Sequence, residues 1–143
     1  MSRKEGGTIA TDSSGRVTRS DPGDLIPGDV VRVFFRHVRP KLDSRGNVIE
    51  NGKERPGLVI YRERNQIVVA YISSVPRILL DPADISVPES SPSFDSTGLE
   101  MSSTIKLGVL STVKLNDVVG FYGSVDEALR AEINAKLATC FRI

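Results

Sequence analysis

The sequence predicts a mostly β domain with one C-terminal helix, an α+β fold in which a small β-barrel or sheet packs against that helix. Short β-branched and aromatic runs recur between residues 30 and 115, and turn-forming residues separate them. Only the last segment spaces its apolar residues as a helix does. The length of 143 residues suits a single domain.

The N-terminal segment differs in composition from the rest of the chain. Residues 1–23 are rich in Gly, Ser and Thr and contain few large apolar side chains. Such a segment cannot bury enough surface to offset the entropy that is lost on ordering. We therefore predict a disordered tail over 1–23 and a folded domain over 24–143.

The strands are predicted from their residue types. Residues 30–35 are β-branched or aromatic, which indicates a first strand. Residues 37–54 combine Pro, Gly and Asn with many charges, which predicts a long loop with a small hairpin turn at 45–47. The nearly continuous apolar runs within 56–62 and 66–73 predict central strands covered on both faces.

The second half of the chain predicts shorter elements and then the helix. A loop is expected over 88–98, and weaker strands are expected at 78–80, 85–87, 101–107 and 110–115. Ser124 and Glu127 fit a capping box with Ser124 as the N-cap. The apolar stripe of the helix consists of Leu129, Ile133, Leu137 and Phe141.

The composition excludes several classes of protein. The single cysteine, Cys140, excludes an intrachain disulfide framework, and the single histidine, His37, excludes a histidine-rich metal centre. The apolar runs are far shorter than the ~20 residues that a membrane helix needs, and the N-terminus lacks the apolar region of a secretory signal. We expect a cytoplasmic protein with no metal, no cofactor and no membrane partner.

The charge is unevenly distributed. The whole chain has a formal net charge of +1, yet residues 32–64 contain nine Lys or Arg and four Asp or Glu. A local cationic segment in a near-neutral chain indicates a surface that faces a polyanion, or simply a solvated loop.

Arg55 and Ser73 are the strongest candidates for residues that bind or act on a phosphate group. If the strands at 56–62 and 66–73 pair through a turn near Asn65, antiparallel register brings Arg55 and Ser73 to the same end of the sheet. A guanidinium beside a hydroxyl is suited to holding a phosphate and stabilising charge that develops on it. An arginine before a proline at a strand start is also often structural, so both interpretations stay open on geometry alone.

Three runs of the sequence resemble the MazF/PemK/Kid toxins of bacterial toxin–antitoxin pairs and occur in the same order. They are Pro27-Gly28-Asp29-Val30-Val31, Arg55-Pro56-Gly57-Leu58-Val59-Ile60 and Val68-Val69-Ala70-Tyr71-Ile72-Ser73-Ser74. The resemblance extends over about 27–141. It implies an SH3-like barrel of the type shared with CcdB, a homodimer, a cognate antitoxin, and metal-independent endoribonuclease activity on single-stranded RNA.

The resemblance also implies roles for individual residues. Arg55 matches the family's catalytic arginine, and Ser73 matches its catalytic threonine as a replacement that keeps the hydroxyl. The reaction would be attack of the RNA 2′-hydroxyl on the adjacent phosphorus, giving a cyclic phosphate and a 5′-hydroxyl. RNA contacts are expected from Lys53, Lys106, Ser74 and Glu50. Lys106 stands where some members have a second catalytic arginine, and Glu50 is also a candidate general base.

The sequence departs from the family pattern in three ways, the first of which is a longer loop between the first strand and Arg55. Gly108 stands where some members have an acidic residue, and 109–114 lacks the arginine and the aspartate of the family stretch. These departures keep two alternatives open: a catalytically impaired module that binds nucleic acid or protein, and a CcdB-like toxin that binds a topoisomerase. The pair Arg55 and Ser73 favours the enzyme over the topoisomerase binder. Phe121 and Tyr122 are expected to be exposed and to contribute to the homodimer.

Overall fold

A computed structural model describes residues 9–11, 17–19, 24–76 and 79–143. Its elements in chain order are β1 (Ile9–Thr11), β2 (Val17–Arg19), β3 (Asp29–Leu42), β4 (Val48–Arg62), β5 (Gln66–Ser73), β6 (Asp84–Val87), α1 (Phe94–Thr97), β7 (Ser103–Lys114), β8 (Val118–Ser124) and α2 (Glu127–Cys140). Six of the strands form an antiparallel sheet, curled into a half-barrel, in the order β6-β7-β5-β4-β3-β8. The predicted α+β class, mostly β with a C-terminal helix, is confirmed.

Apolar side chains bury both faces of the central strands, as their continuous apolar runs predict. One face packs under α2 in a cluster that we call the helix-side core, with members that include Val30, Leu58, Ala70, Ile72, Ile105, Leu129 and Ile133. The other face lines the curled sheet in a cluster that we call the barrel core, which consists of Leu25, Val31, Val33, Val59, Ile67, Val69 and Phe121. Alternate residues of each strand thus serve different cores.

The predicted tail falls largely outside the described residues. Within 1–23 the structure describes only β1 and β2, which pair antiparallel as a separate two-stranded sheet. The disorder expected for 1–23 and the domain boundary at residue 24 stay predictions.

The long loop expected over 37–54 is instead a hairpin formed by β3 and β4, so that prediction is wrong. The ladder pairs Arg36 with Gly52 and resumes at Lys41 and Glu50, and the extra residues of β3 form an irregularity that contains Pro40. Proline lacks the N–H of a regular ladder, and a bulge accommodates it. The hairpin turn expected at 45–47 is confirmed, with Gly46 at a φ of 83°.

Two further differences concern the strands of the second half. The strands expected at 101–107 and 110–115 are one strand, β7, whose register jumps so that Ala70 pairs with Leu110 and Tyr71 with Lys106. The strand β8 was not predicted. Its Phe121 is only 2% exposed within the barrel core, so the expected exposure of this side chain is wrong.

Two other predicted strands have different outcomes. The strand expected at 85–87 is confirmed as β6, whereas Leu79 and Leu80 lie in no strand and residue 78 lies outside the described residues. The expected loop over 88–98 contains the single turn α1.

The predicted C-terminal helix is confirmed, but its N-cap is Asp126 and not Ser124. The Asp126 carboxylate accepts a hydrogen bond from the Leu129 N–H at 2.8 Å. The Ser124 hydroxyl instead donates to Asp29 Oδ1 at 2.9 Å. Asp29 Oδ2 also accepts from the Ile26 N–H at 3.0 Å, so this carboxylate holds the corner where β3 begins. In the described part of the chain, no helix is long and apolar enough to cross a membrane.

Candidate active site

Arg55 and Ser73 lie on one face at one end of the sheet, as the predicted register requires. Gly57 pairs with Tyr71 between β4 and β5, and each of the two candidate residues lies two positions beyond that pair. Arg55 is opposite Val33 of the barrel core on β3, and alternation places Ser73 on the same face as Val69 of that core. The structure therefore places the two residues at the same end of the sheet and on the same face.

The two side chains differ in exposure. The Arg55 side chain is exposed, and its Nη1 donates to the Glu54 carbonyl at 2.9 Å. Ser73 is 5% exposed, and its hydroxyl oxygen accepts from the Val75 N–H at 3.2 Å. Accepting this bond leaves the hydroxyl proton able to point toward a phosphate oxygen.

Lys106 lies on the same face but is held in a buried ion pair. Its Nζ is 2.9 Å and 3.0 Å from the two Asp84 carboxylate oxygens and 3.2 Å from Asp81 Oδ2. The side chains of Lys106 and Asp84 are 9% and 2% exposed, whereas that of Asp81 is 72% exposed. The structure thus gives the Lys106 ammonium a local counter-charge, and its expected contact with RNA stays a prediction.

Glu50 is distant from Arg55 and engaged elsewhere. Five residues of extended strand separate them by about 16 Å. Glu50 lies 3.4 Å from His37 Nε2, 3.3 Å from Lys41 Nζ and 3.8 Å from Lys53 Nζ. The close contact of His37, followed by those of Lys41 and Lys53, lowers the Glu50 pKa, which makes this carboxylate a weaker proton acceptor.

Lys53 and Ser74 flank the pair from two directions. Lys53 is exposed, lies two positions before Arg55 and shares its face. Ser74 is exposed just past the end of β5 and lines a cleft of about 130 Å³. The other residues of that cleft are Pro56, Leu99, Glu100, Met101, Ser103 and Tyr122.

The interpretation of the sequence missed two features beside this site. Phe35 and Tyr71 meet edge to face with ring centroids 6.0 Å apart, on the face that carries Arg55 and Ser73. Two-residue alternation back from Ser73 would have indicated Tyr71. Asp84 could not have been found, because the partner of Lys106 lies 22 residues away and only strand pairing joins them.

Comparison with known protein families matches most of the chain. A family described as PemK-like, MazF-like toxin of type II toxin–antitoxin system matches residues 27–141. The chain belongs to this toxin family. No curated protein matches the chain significantly.

Solved structures share the toxin fold at low sequence identity. An endoribonuclease in complex with its cognate antitoxin, from a mycobacterial species, is 17% identical, with a TM-score of 0.54 over 82% of this chain and 94% of that one. An endoribonuclease from a mycobacterial species is 16% identical, with a TM-score of 0.52 over 82% and 90% of the two chains. Mycobacterium tuberculosis toxin MazF-mt6 is 18% identical, with a TM-score of 0.52 over 78% and 95%. The predicted MazF/PemK type of fold is confirmed.

Proposed function

We propose that this toxin-family protein is an endoribonuclease that cleaves single-stranded RNA without a metal ion. The observation that carries the proposal is the placement of Arg55 and Ser73 on one face and at one end of the sheet. Lys53 adds an exposed cation on that face. Membership of the toxin family and the fold shared with two mycobacterial endoribonucleases support the proposal.

The chemistry needs no protein nucleophile because the RNA supplies its own. The 2′-oxygen attacks the adjacent phosphorus, loses its proton to a base, and displaces the 5′-oxygen, which takes up a proton; the products are a cyclic phosphate and a 5′-hydroxyl. Arg55 stabilises the charge that grows on the phosphoryl oxygens, and the Ser73 hydroxyl donates a hydrogen bond to one of them. Lys53 holds a neighbouring phosphate.

The proposed partners follow from the family and from the surface charge. A cognate antitoxin would bind through an acidic segment, because the hairpin of β3 and β4 exposes Arg36, Arg39, Lys41, Arg45 and Lys53. We place the protein in the cytoplasm, where its RNA substrate lies, and propose a homodimer. Sedimentation at tens of micromolar should give twice the 15.6 kDa of one chain, and a purely monomeric species would contradict the homodimer.

The test of the activity is incubation of the purified protein with a long single-stranded RNA in the presence of EDTA. Mapping the cut ends should reveal a cyclic phosphate on one side and a 5′-hydroxyl on the other. Uncut RNA, or cuts that leave a 5′-phosphate, would contradict the proposal.

A module that binds RNA without cleaving it is the second candidate. The observation in its favour is that Lys106 is neutralised by Asp84, while Gly108 offers no side chain where some toxins have an acidic one. Tight RNA binding with no cleavage would select this candidate.

A further inference from the structure

A large cleft opens between β3 and β7, beside the mouth of the half-barrel. Its volume is about 550 Å³. In the part of the chain that the structure describes, β8 pairs with β3 only over Asp29–Val33 and β6 pairs with β7 only over Ser103–Lys106, so no strand fills the gap beyond these ladders. The cleft is lined by Phe34, Phe35, Arg36, Ser111, Thr112, Val113, Lys114, Asn116 and Asp117.

The cleft adjoins the face that carries Arg55. Phe35 lies opposite Lys53, and Val33 lies opposite Arg55, so Phe35 and Arg55 are one strand and two residues apart. Strand geometry makes this separation about 8 Å. Phe35 and Val113 both pack against the barrel core, so the floor of the cleft continues from the surface next to Arg55. A nucleotide next to a phosphate held by Arg55 can therefore reach the cleft.

The aromatic walls of the cleft are held in place. Phe35 is held edge to face against Tyr71, with 6.0 Å between the ring centroids and 74° between the planes. The Arg36 guanidinium lies 5.4 Å from the centroid of the Phe34 ring. Asp117 fixes that guanidinium through two hydrogen bonds of 3.1 Å and 2.8 Å. Aromatic rings and guanidinium planes are the surfaces on which unpaired RNA bases stack.

Three exposed polar side chains also line the cleft. Lys114 is exposed at the rim, where an ammonium can contact a phosphate. Asn116 is exposed and offers an amide with both donors and an acceptor, which a base edge can pair with. Thr112 is exposed on the opposite wall.

We infer that this cleft binds one nucleobase of single-stranded RNA next to the phosphate at Arg55, with Phe35 as the stacking surface and Asn116 reading the base edge. The inference rests on the proposed function for the identity of the ligand. It adds a subsite that sets which base the protein prefers beside the cut.

Binding is measured separately from cleavage, so that the two can fail independently. The probes are fluorescein-labelled oligo-A, oligo-C and oligo-U of about twelve nucleotides, a length that spans several contacts. Every 2′-hydroxyl is methylated, which removes the internal nucleophile and allows the full wild-type chain to be used. Fluorescence anisotropy gives the affinity, and melting temperatures verify folding.

Loss of the stacking ring should weaken binding strongly. One stacked base is worth about 1–3 kcal/mol, so Phe35→Leu should lower affinity for the preferred oligonucleotide about 5- to 150-fold. Phe141→Leu is the matched control, because Phe141 is half-exposed at the end of α2, away from the cleft. Thr112→Glu tests the same cleft without altering the core and should also weaken binding, whereas Thr139→Glu on α2 should not.

Two further variants separate phosphate contact from base recognition. Lys114→Gln should reduce the salt dependence of binding by about 0.7 in the slope of log affinity against log salt, whereas Lys136→Gln should not. Asn116→Ala should reduce the preference among the three oligonucleotides.

The outcomes distinguish this inference from the proposed function. If the wild type cuts RNA but folded Phe35→Leu and Thr112→Glu bind the oligonucleotides as tightly as the wild type, the proposed base site in the cleft is wrong and the nuclease activity stands. If RNA stays uncut but the cleft variants bind the oligonucleotides more weakly, the proposed nuclease activity is wrong and the proposed base site is supported. Wild-type protein that binds none of the three probes would overturn the cleft, whatever the cleavage result.

Discussion

Arg55 is the residue on which the proposed chemistry depends most. Arg55→Ala should lower RNA cleavage about 10²- to 10³-fold, the usual loss for one preorganised donor, because the charge on the phosphoryl oxygens loses its partner. Arg55→Lys should rescue little, since an ammonium cannot reproduce a planar two-pronged contact. Initial rates measure the effect, and Lys136→Gln is the control for loss of one positive charge.

The melting temperature separates a chemical role of Arg55 from a structural one. The side chain is exposed and donates a hydrogen bond to the carbonyl of its neighbour Glu54, so Arg55→Ala should fold and melt like the wild type. Wild-type cleavage by the folded variant would remove Arg55 from the mechanism.

Lys106 should affect stability more than RNA affinity. Lys106→Met leaves the Asp84 carboxylate buried beside an apolar side chain, and breaking such a pair costs about 3–5 kcal/mol of unfolding free energy. Asp81→Asn is the control, because an exposed partner contributes only about 0–1 kcal/mol. Urea unfolding gives both values. A stable Lys106→Met variant that binds RNA poorly would instead favour the predicted contact with RNA.

The cap of helix α2 can be tested at the scale of the element. Asp126 accepts from the Leu129 N–H and from the Ser93 hydroxyl, so Asp126→Ala should lower the free energy of unfolding by about 1 kcal/mol. Glu127→Ala, which removes the acceptor that a capping box would need, should change it by less than about 0.5 kcal/mol, since Glu127 is exposed. Equal effects of the two variants would restore the capping box at Ser124 and Glu127.

The turn of the β3–β4 hairpin should respond to pH. Hydrogen bonds from the backbone N–H groups of Asn47 and Arg45 lower the Asp43 pKa. A lowered pKa means that the carboxylate stabilises the turn above its ordinary pKa and that this contribution is lost as pH falls through the lowered value. The amide NMR signals of residues 45 and 47 should therefore shift in acid.

The matched variant for the turn is Asp43→Asn, which removes the charge at every pH. Its signals at residues 45 and 47 should be nearly independent of pH in the acidic range. The same acid shift in Asp43→Asn would assign the titration to another carboxylate, such as Glu50.

For the whole molecule, deletion of residues 1–23 should leave the domain folded. Among the side chains that the structure describes, those of the helix-side core and the barrel core lie between Leu25 and Leu137, so the deletion removes none of them. The melting temperature of the truncated chain should stay within a few degrees of the full-length value. A large decrease would show that the N-terminal segment supports the barrel.

The sequence predicted most where one pattern had one physical cause. Apolar runs marked β4 and β5 because both faces of these strands are buried, and four-residue spacing marked α2 because it packs on one side only. The juxtaposition of Arg55 and Ser73 was predictable because a short turn between adjacent strands sets their register. In each case the local sequence was enough to predict the structure.

Where the sequence failed, distant residues decided the outcome. The hairpin of β3 and β4 forms although its residues are polar, because backbone hydrogen bonds and the charges around Glu50 hold it. Ser124 is not the N-cap that its sequence position predicts, because its hydroxyl donates a hydrogen bond to Asp29, which lies 95 residues away in the chain.

The sequence by itself determined the β-rich class, the C-terminal helix and the toxin family, since periodicity and short motifs record which faces are buried. Only the tertiary structure decided the partner of Lys106, the burial of Phe121 and the cleft beside Phe35. These depend on the curl of the sheet, which brings β3 near β7 and buries Phe121 of β8. Curvature arises from bulges and long-range pairing, and neither leaves a periodic pattern in the chain.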